Sequence, residues 1–294
     1  MEHKPVMREE IAQYLNLNPG KVVLDCTIGT GGHAQEILKK IAPQGRLIGV
    51  DRDADSLSIA ENNLKEFSGF YTLIKDDFRH LDRILENLKL QNIDGILFDL
   101  GISSFQLDNS KRGFSIREDG PLDMRMDKNS YISAYDLVNS LSETEISGIL
   151  KNFGQERWHN RIAHYLVEER MRNPISTTKQ LSDVVMKAVG YRYAAQKIHP
   201  ATRTFQAFRI AVNRELEALD MALDKAIRSL NKGGRICVIS FHSLEDKIVK
   251  EKFKNFSREG ILKIITKKPL RSTEEEVSDN VRARSARLRV GERI

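Results

Sequence analysis

Three aspartates end three short apolar runs of this 294-residue chain. Asp25 follows Val22-Val23-Leu24, Asp51 follows Leu47-Ile48-Gly49-Val50, and Asp99 follows Ile96-Leu97-Phe98. After Asp25 comes the turn Cys26-Thr27-Ile28-Gly29-Thr30-Gly31-Gly32-His33. Glycines between a strand and a helix let the backbone approach a ligand closely and adopt the positive φ such turns need. Asp51 stands about 20 residues further on, where such folds place an acid on ribose hydroxyls. Ligands of open α/β sheets bind past the carboxyl ends of strands, so Asp25, Asp51, Asp99 and Ser240-Phe241-His242 can border one crevice. A strand-end carboxylate can instead cap the next helix; three at consecutive strand ends are harder to assign that way. The turn is not G-x-G-x-x-G, and no Gly-Lys-Ser/Thr follows to make a Walker loop. It lacks the third glycine that usually helps to seat a pyrophosphate, so S-adenosylmethionine, which has none, fits better than a dinucleotide.

The elements that must position these residues alternate. Strands are expected at Val22–Asp25, Arg46–Asp51, Tyr71–Lys75 and Asp94–Asp99, with helices over His33–Ile41, Ser56–Phe67 and Leu81–Leu90. Alternation of this kind means βαβ units and a parallel sheet covered on both faces. From about Gly101 it stops. Residues 104–130, with Gly113, Gly120 and Pro121, read as a long loop, and 131–220 mostly as helices. Arg157–Arg170 sets Trp158, Ile162, Tyr165 and Leu166 on one face and Arg157, Arg161 and His164 on another. In Thr202–Leu219 the positions Phe205, Phe208, Val212, Leu216 and Leu219 form one helical core stripe. The α/β pattern returns with a strand at Arg235–Ser240, a helix at Leu244–Phe253 and an extended Ile261–Thr266, and Arg287–Val290 is expected to close the sheet. The expected fold class is α/β, with a discontinuous sheet domain (1–104 and 216–294) interrupted by a loop and helical insertion (105–215).

Composition bounds the rest. Apolar residues at 40% and charged residues at 30% fit an ordinary soluble globular protein. The two cysteines, Cys26 and Cys237, are far apart and outside any C-x-x-C spacing, which argues against a disulfide scaffold or zinc module and fits a reducing cytoplasm. The charged first ten residues lack the apolar stretch of a signal peptide, and no run approaches the roughly 18 apolar residues of a membrane span. Charge is uneven along the chain. Residues 1–150 carry 17 basic and 24 acidic side chains, residues 151–215 carry 12 and 5, and residues 216–294 carry 18 and 12. A basic second half fits a polyanionic partner, and equally a set of solvated helix faces.

Longer motifs then single out a family. The chain resembles the RsmH (MraW) family, bacterial S-adenosylmethionine-dependent enzymes that methylate N4 of a cytidine in small-subunit (16S) rRNA. The resemblance runs nearly end to end, through His3-Lys4-Pro5-Val6-Met7, Gly31-Gly32-His33, Asp94 to Leu107 (DGILFDLGISSFQL) and Gly113-Phe114-Ser115. It continues in Gly120 to Asp127 (GPLDMRMD), His199 to Ile210 (HPATRTFQAFRI), Ser240 to Asp246 (SFHSLED) and Arg282 to Arg289 (RARSARLR). The resemblance implies a Rossmann-like class I methyltransferase sheet with an inserted all-helical, RNA-recognition domain. It implies cofactor contacts at Gly31, Gly32, His33, Asp51, Phe78, Asp99 and Gln106, and as partner 16S rRNA within the assembled small ribosomal subunit, at the decoding site. The family usually has proline in place of Phe105, and Asn-Pro-Arg-Ala-Arg-Ser where this chain reads Asp279-Asn280-Val281-Arg282-Ala283-Arg284-Ser285. Both are expected to be loop positions outside the contact set.

The lone pair of a cytosine N4 amine is delocalised into the ring, so the nitrogen is a poor nucleophile. An enzyme must accept a hydrogen bond from the amine, align the nitrogen with the sulfonium methyl and exclude water; positioning then supplies much of the acceleration. Asp99 is suited to accept from the amine or to hold the cofactor. Asp123 and His242 are further catalytic candidates, since a histidine with a pKa near ~6.5 could take the released proton. Against these stand a helix-entry role for His242 and an ion pair of Asp123 with Arg125. No His/Cys/carboxylate cluster has metal spacing, so no catalytic metal is expected. The target base must be unstacked or single-stranded to enter a crevice. Phosphate contacts are expected from Arg157, Arg161, His164, Arg170 and Arg172, and from Arg282, Arg284, Arg287 and Arg289; surface salt bridges are the alternative for each. Strand alternation puts Arg287 and Arg289 on one side and Leu288 inward. A ribosome-assembly factor without catalysis and a nucleotide-dependent oxidoreductase are the rival readings; intact Asp51, Asp99 and Gly31-Gly32-His33 argue against the first. No membrane partner is expected, and the oligomeric state stays open, a homodimer included.

Overall fold

Apolar runs flanked by glycine and proline become the strands Val22–Asp25 (β1), Arg46–Asp51 (β2), Tyr71–Lys75 (β3), Ile93–Asp99 (β4), Leu230–Ser240 (β5), Leu262–Ile264 (β6) and Arg287–Arg293 (β7). The computed structural model describes residues 5–190 and 199–294, so His3 and Lys4 of the amino-terminal motif lie outside the described residues. It divides into two compact units, Met1–Gly101 with Leu216–Ile294, and Ile102–Glu215.

The first unit is a seven-stranded sheet in the order β3-β2-β1-β4-β5-β7-β6. Strands β1 to β5 run parallel, and β7 is antiparallel to both β5 and β6. The helices of this unit are Arg8–Tyr14 (α1), Gly32–Ile41 (α2), Ala54–Asn63 (α3), Leu81–Asn87 (α4), and, after the second unit, Glu215–Arg228, Ser243–Arg258 and Glu274–Asp279. Arg287–Val290 does not close the sheet: β7 lies inside it and the three-residue β6 forms the edge. The physical reason is burial. Leu288 and Val290 are fully buried and belong in an interior strand, whereas β6 presents the exposed Lys263, a side chain suited to an edge.

Side chains alternate between the two faces of the sheet. Val23, Leu47, Leu97, Cys237 and Ile239 share one core with α1 and α2. Leu24, Ile48, Ile96, Phe98, Ile236 and Val238 share the other with α4 and the Glu215–Arg228 and Ser243–Arg258 helices. By the same parity Asp25, Asp51 and Asp99 fall on the first face, at the strands' carboxyl ends.

The second unit is helical: Ser104–Asp108 (α5), Ala134–Ser140 (α6), Glu143–Gly154 (α7), His159–Arg170 (α8), Thr178–Val189 (α9) and Thr202–Asn213 (α10). The later helices take the labels α11 (Glu215–Arg228), α12 (Ser243–Arg258) and α13 (Glu274–Asp279). Capping boxes at Ser103, Ser133, Ser142 and Thr177 start α5, α6, α7 and α9, each satisfying amides that the first helical turn leaves open. Met124, Leu150, Ile162, Leu181, Val185 and Phe208 lie in its core.

Two expectations fail here. The stretch expected as a long loop carries α5 and a 3₁₀ turn at Ser110–Arg112, so Phe105 is helical and not in a loop. The expected single helix over Thr202–Leu219 is two helices, broken at Arg214 in the left-handed region (φ 50°). Asn213 explains the break: its Oδ1 accepts from Met126 N at 2.8 Å and its Nδ2 donates to Met124 O at 2.8 Å, fixing the end of α10. Phe205 and Phe208 therefore belong to the helical core and Leu219 to the sheet core. A periodic stripe cannot reveal such a break, because both helices are amphipathic on their own. Among the described residues no helix is long and apolar enough to cross a membrane.

Candidate active site

The turn after β1 is wound by glycines. Gly31 caps α2 with φ 90°, a conformation an L side chain rarely adopts. Gly29 N donates to Asp51 Oδ2 and Asp53 N to Asp51 Oδ1, both at 2.9 Å. These bonds tie the β1 turn to the end of β2. Burial pushes the Asp51 carboxyl up to about 6, with the two amides pulling the other way. Each Asp51 oxygen retains a further lone pair for a donor such as a ribose hydroxyl.

Next to it, across β1 and β4, lie Asp25, His33 and Asp99. Asp25 is buried, and Thr27 N donates to its Oδ1 at 3.1 Å. Burial pushes its carboxyl up to about 7, against the pull of the His33 ring and the Thr27 amide. His33 Nε2 lies 3.5 Å from Asp99 Oδ2, longer than a good hydrogen bond. Burial works against protonating this ring, but Asp99, with Asp25 and Glu276 behind it, outweighs burial and raises the histidine above its ordinary pKa. Both His33 nitrogens and Asp99 Oδ1 are buried without a hydrogen-bond partner among the described residues. Thr27 Oγ1 accepts from Asp99 N at 2.6 Å, so the turn also clasps the end of β4. Buried groups left without partners are costly, and their concentration at one strand end points to a ligand that completes them.

Of the other expected contacts, Phe78 follows β3, packs edge-on against Phe98 at 5.5 Å and lies under the Arg52 guanidinium at 5.7 Å. Gln106 stands in the helical unit, where its Oε1 accepts from Ser103 N at 3.1 Å as part of the α5 capping box. The structure brings Asp25, His33, Asp51 and Asp99 together in one unit and places Gln106 and Asp123 in the other.

The remaining catalytic candidates, Asp123 and His242, have contacts of their own, although His242 Nε2 is without a hydrogen-bond partner among the described residues. Asp123 is held by Arg125, whose Nε and Nη2 each reach a carboxylate oxygen at 2.8 Å. Burial opposes its ionisation, but Arg125 outweighs burial and holds Asp123 below the ordinary carboxylate range. His242 caps α12: its Nδ1 accepts from Glu245 N at 3.3 Å, and its Nε2 lies 3.2 Å from Glu245 Oε1. Cys26 and Cys237 are buried with their thiols pushed up by burial, so neither is a nucleophile.

The arginines divide. Arg157 and Arg161 are exposed on α8 and its entry, over the rings of Trp158 at 5.4 Å and Tyr165 at 5.7 Å. Arg170 donates to Val138 O at 2.6 Å, and His164 lies 3.3 Å from Glu143. Arg284 is exposed and Arg282 half-buried in the Val281–Ser285 3₁₀ turn. Arg287 and Arg289 share one side of β7, as alternation predicts, but both reach Asp246 of α12, at 3.2 and 2.7 Å, and Arg289 is buried.

A model of the MraW methylase family matches residues 1–294. The chain belongs to the MraW methylase family. It is 45% identical to the ribosomal RNA small subunit methyltransferase H of Halothermothrix orenii, over 100% of this chain and 99% of that one. The corresponding protein of Geotalea uraniireducens is 47% identical, over 99% and 98%. The one from Clostridium botulinum strain Kyoto is 44% identical, over 100% and 99%.

In this MraW methylase, two residues near the carboxylates escape a reading of the sequence alone. Thr27 lies within the glycine turn, but nothing in its spacing announces the bond to Asp99. Glu276 sits in an acidic run that reads as a solvated face, yet its Oε1 accepts from Met7 N at 2.6 Å and its charge acts on His33.

Proposed function

We propose that the chain transfers a methyl group from S-adenosylmethionine to the exocyclic N4 of a cytidine in the decoding region of 16S rRNA, acting on the assembled small ribosomal subunit. The coarser activity, S-adenosylmethionine-dependent methylation of small-subunit rRNA, rests on family membership and on full-length identity to relatives of that name. The N4 reading is supported above all by Asp99 Oδ1, a buried acceptor at the end of β4 without a partner among the described residues.

The residues present fit the cofactor. The positive-φ glycine turn offers backbone without side chains, Asp51 offers spare lone pairs, and Asp25, Asp51 and Asp99 offer negative charge to a cation. When bound, S-adenosylmethionine supplies an electrophilic methyl on a sulfonium. Asp51 would hold the ribose, with Phe78 beside the adenine and Gly31, Gly32 and His33 along the turn. Asp99 accepts a hydrogen bond from the N4 amine, which returns electron density to the nitrogen and orients its lone pair, and it takes the proton that the nitrogen releases as the carbon–sulfur bond breaks and the carbon–nitrogen bond forms. Thr27 fixes the Asp99 backbone. His33 lies on the far side of the same carboxylate and balances its charge. Preorganised groups of this kind act by positioning and electrostatics. Asp123 is not given the proton because Arg125 already engages it, and His242 because its Nδ1 is committed to the cap of α12.

For the RNA, the exposed Arg157, Arg161 and Arg284 and the half-buried Arg282 are proposed as phosphate contacts. The test is transfer itself. Small subunits from a strain lacking the activity are incubated with the protein and methyl-labelled cofactor, and their rRNA is digested to nucleosides. N4-methylcytidine is expected; unlabelled rRNA, with folded and cofactor-binding protein, would overturn the proposal.

A further inference from the structure

We propose that Phe241 is the platform on which the target nucleobase lies during transfer, and that Gly101 lacks a side chain so that this ring stays accessible beside Asp99. The inference rests on the methyl-transfer reading above and names a residue that the reading leaves open, the aromatic that receives the base.

Register places the ring. Asp99 of β4 pairs with Ile239 of β5, and Leu100 N donates to Ile239 O at 3.0 Å. Two residues further along each strand stand Gly101 and Phe241. A Cβ built on Gly101 would lie 3.6 Å from Phe241 Cδ2, so the ring lies against this glycine. Gly101 has φ 100°, where a side chain is strained whatever the space. Parity supplies the direction: Cys237 and Ile239 pack on the face that carries Asp25, Asp51 and Asp99, and Phe241 packs against the same core.

The ring is also held in advance. Phe241 N donates to Glu245 Oε2 at 2.9 Å, which ties the residue to the His242–Glu245 cap of α12, and its side chain is only half-buried. The strand order β2-β1-β4-β5 sets Asp51, Asp25, Asp99 and Phe241 in a row. With the ribose at Asp51, the methyl acceptor approaches from the opposite end, beyond Asp99, where Phe241 stands. Phe78 cannot serve, because it follows β3 at the Asp51 end and packs with the other core. A cytosine drawn out of its stack needs a new π-face, and any base accepts an aromatic one.

Phe241→Leu keeps an apolar filler against the core and removes the ring; Phe241→Tyr keeps the ring. With small subunits as substrate, kcat/KM of Phe241→Leu should fall about 5- to 150-fold, the loss that one base–aromatic stack represents. Phe241→Tyr should stay within about 3-fold of wild type, and both variants should bind S-adenosylhomocysteine as wild type does. Wild-type transfer in the same assay tests the parent reading, while the ratio of variant to wild type tests the platform. A second measurement needs no variant. Small subunits carrying 5-iodocytidine at the target are irradiated with the wild-type protein, and the cross-link should map to Phe241. Wild-type kcat/KM in Phe241→Leu, equal impairment of Phe241→Tyr, or a cross-link elsewhere on the chain would overturn the proposal.

Discussion

His33 Nε2 lies 3.5 Å from Asp99 Oδ2, and neither ring nitrogen has a hydrogen-bond partner among the described residues. The charges of three acids, Asp99, Asp25 and Glu276, act on the imidazole and favour its protonated form. That arrangement makes the site proton-rich near neutral pH.

Stability should therefore fall as pH rises from 5 to 8. Asp25 is raised from 3.8 to about 7 and Asp51 from 3.8 to about 6, so in those windows the folded chain holds protons that the unfolded chain has lost. His33 is raised above 6.5, and the stability it contributes is present below that value and lost as pH climbs through its folded pKa. All three have the same sign. Asp25 alone represents on the order of 4 kcal/mol across its window. Thermal melts should show a lower midpoint at pH 8 than at pH 5, and Asp25→Asn, a neutral isostere, should flatten the curve. A wild-type midpoint that rises over this range contradicts the assignment.

Cofactor affinity should move the other way. A cation bound beside these acids favours their ionised forms, so binding releases protons and tightens from pH 5.5 to 8. Titration calorimetry in buffers of different ionisation enthalpy measures the release directly. Asp51→Asn should weaken binding roughly 10- to 100-fold, the range of a hydrogen bond to a charged group, and reduce the proton count. Affinity independent of pH would count against the charge assignment.

Thr27 offers a test of positioning. Thr27→Val leaves the Asp99 amide without its acceptor, at a cost of about 1–3 kcal/mol in stability, and should lower kcat more than it raises the KM for cofactor. Thr27→Ser restores the hydroxyl and should recover most of kcat. Equal impairment of the two variants would show that the hydroxyl alone does not position Asp99.

The arginines separate by salt dependence. Removing Arg157 or Arg161 should reduce the slope of log affinity against log salt by about 0.7 per lost phosphate contact and leave stability nearly unchanged. Arg289→Ala should instead destabilise by roughly 1–3 kcal/mol, because it removes the buried partner of the Asp246 carboxylate and leaves only Arg287 on it. An unchanged slope in Arg157→Ala and Arg161→Ala would remove α8 from the RNA interface.

The parallel strands and the carboxylates at their ends were legible in the sequence, because buried strands read as unbroken apolar runs and Asp25, Asp51 and Asp99 punctuate them. The inserted helices were legible for the converse reason, the loss of that alternation after Gly101. The break at Arg214 was not, because Met124 O and Met126 N, which Asn213 engages, lie 89 and 87 residues away in sequence. The interior place of β7 was hidden as well, since strand order depends on which edge a late hairpin finds. Sequence could offer Asp123, His242 and Asp99 as acids and bases; only the structure shows Arg125 on Asp123 and the α12 cap on His242 Nδ1, while His242 Nε2 and Asp99 Oδ1 are both without a hydrogen-bond partner among the described residues.

The most direct test of the central claim is a single-turnover transfer rate for Asp99→Ala at saturating cofactor, on unmethylated small subunits, with the N4-methylcytidine formed as the readout. The account predicts a fall of at least ~10²-fold, with the protein folded and still binding cofactor at the saturating concentration. A rate within about 3-fold of wild type would contradict it.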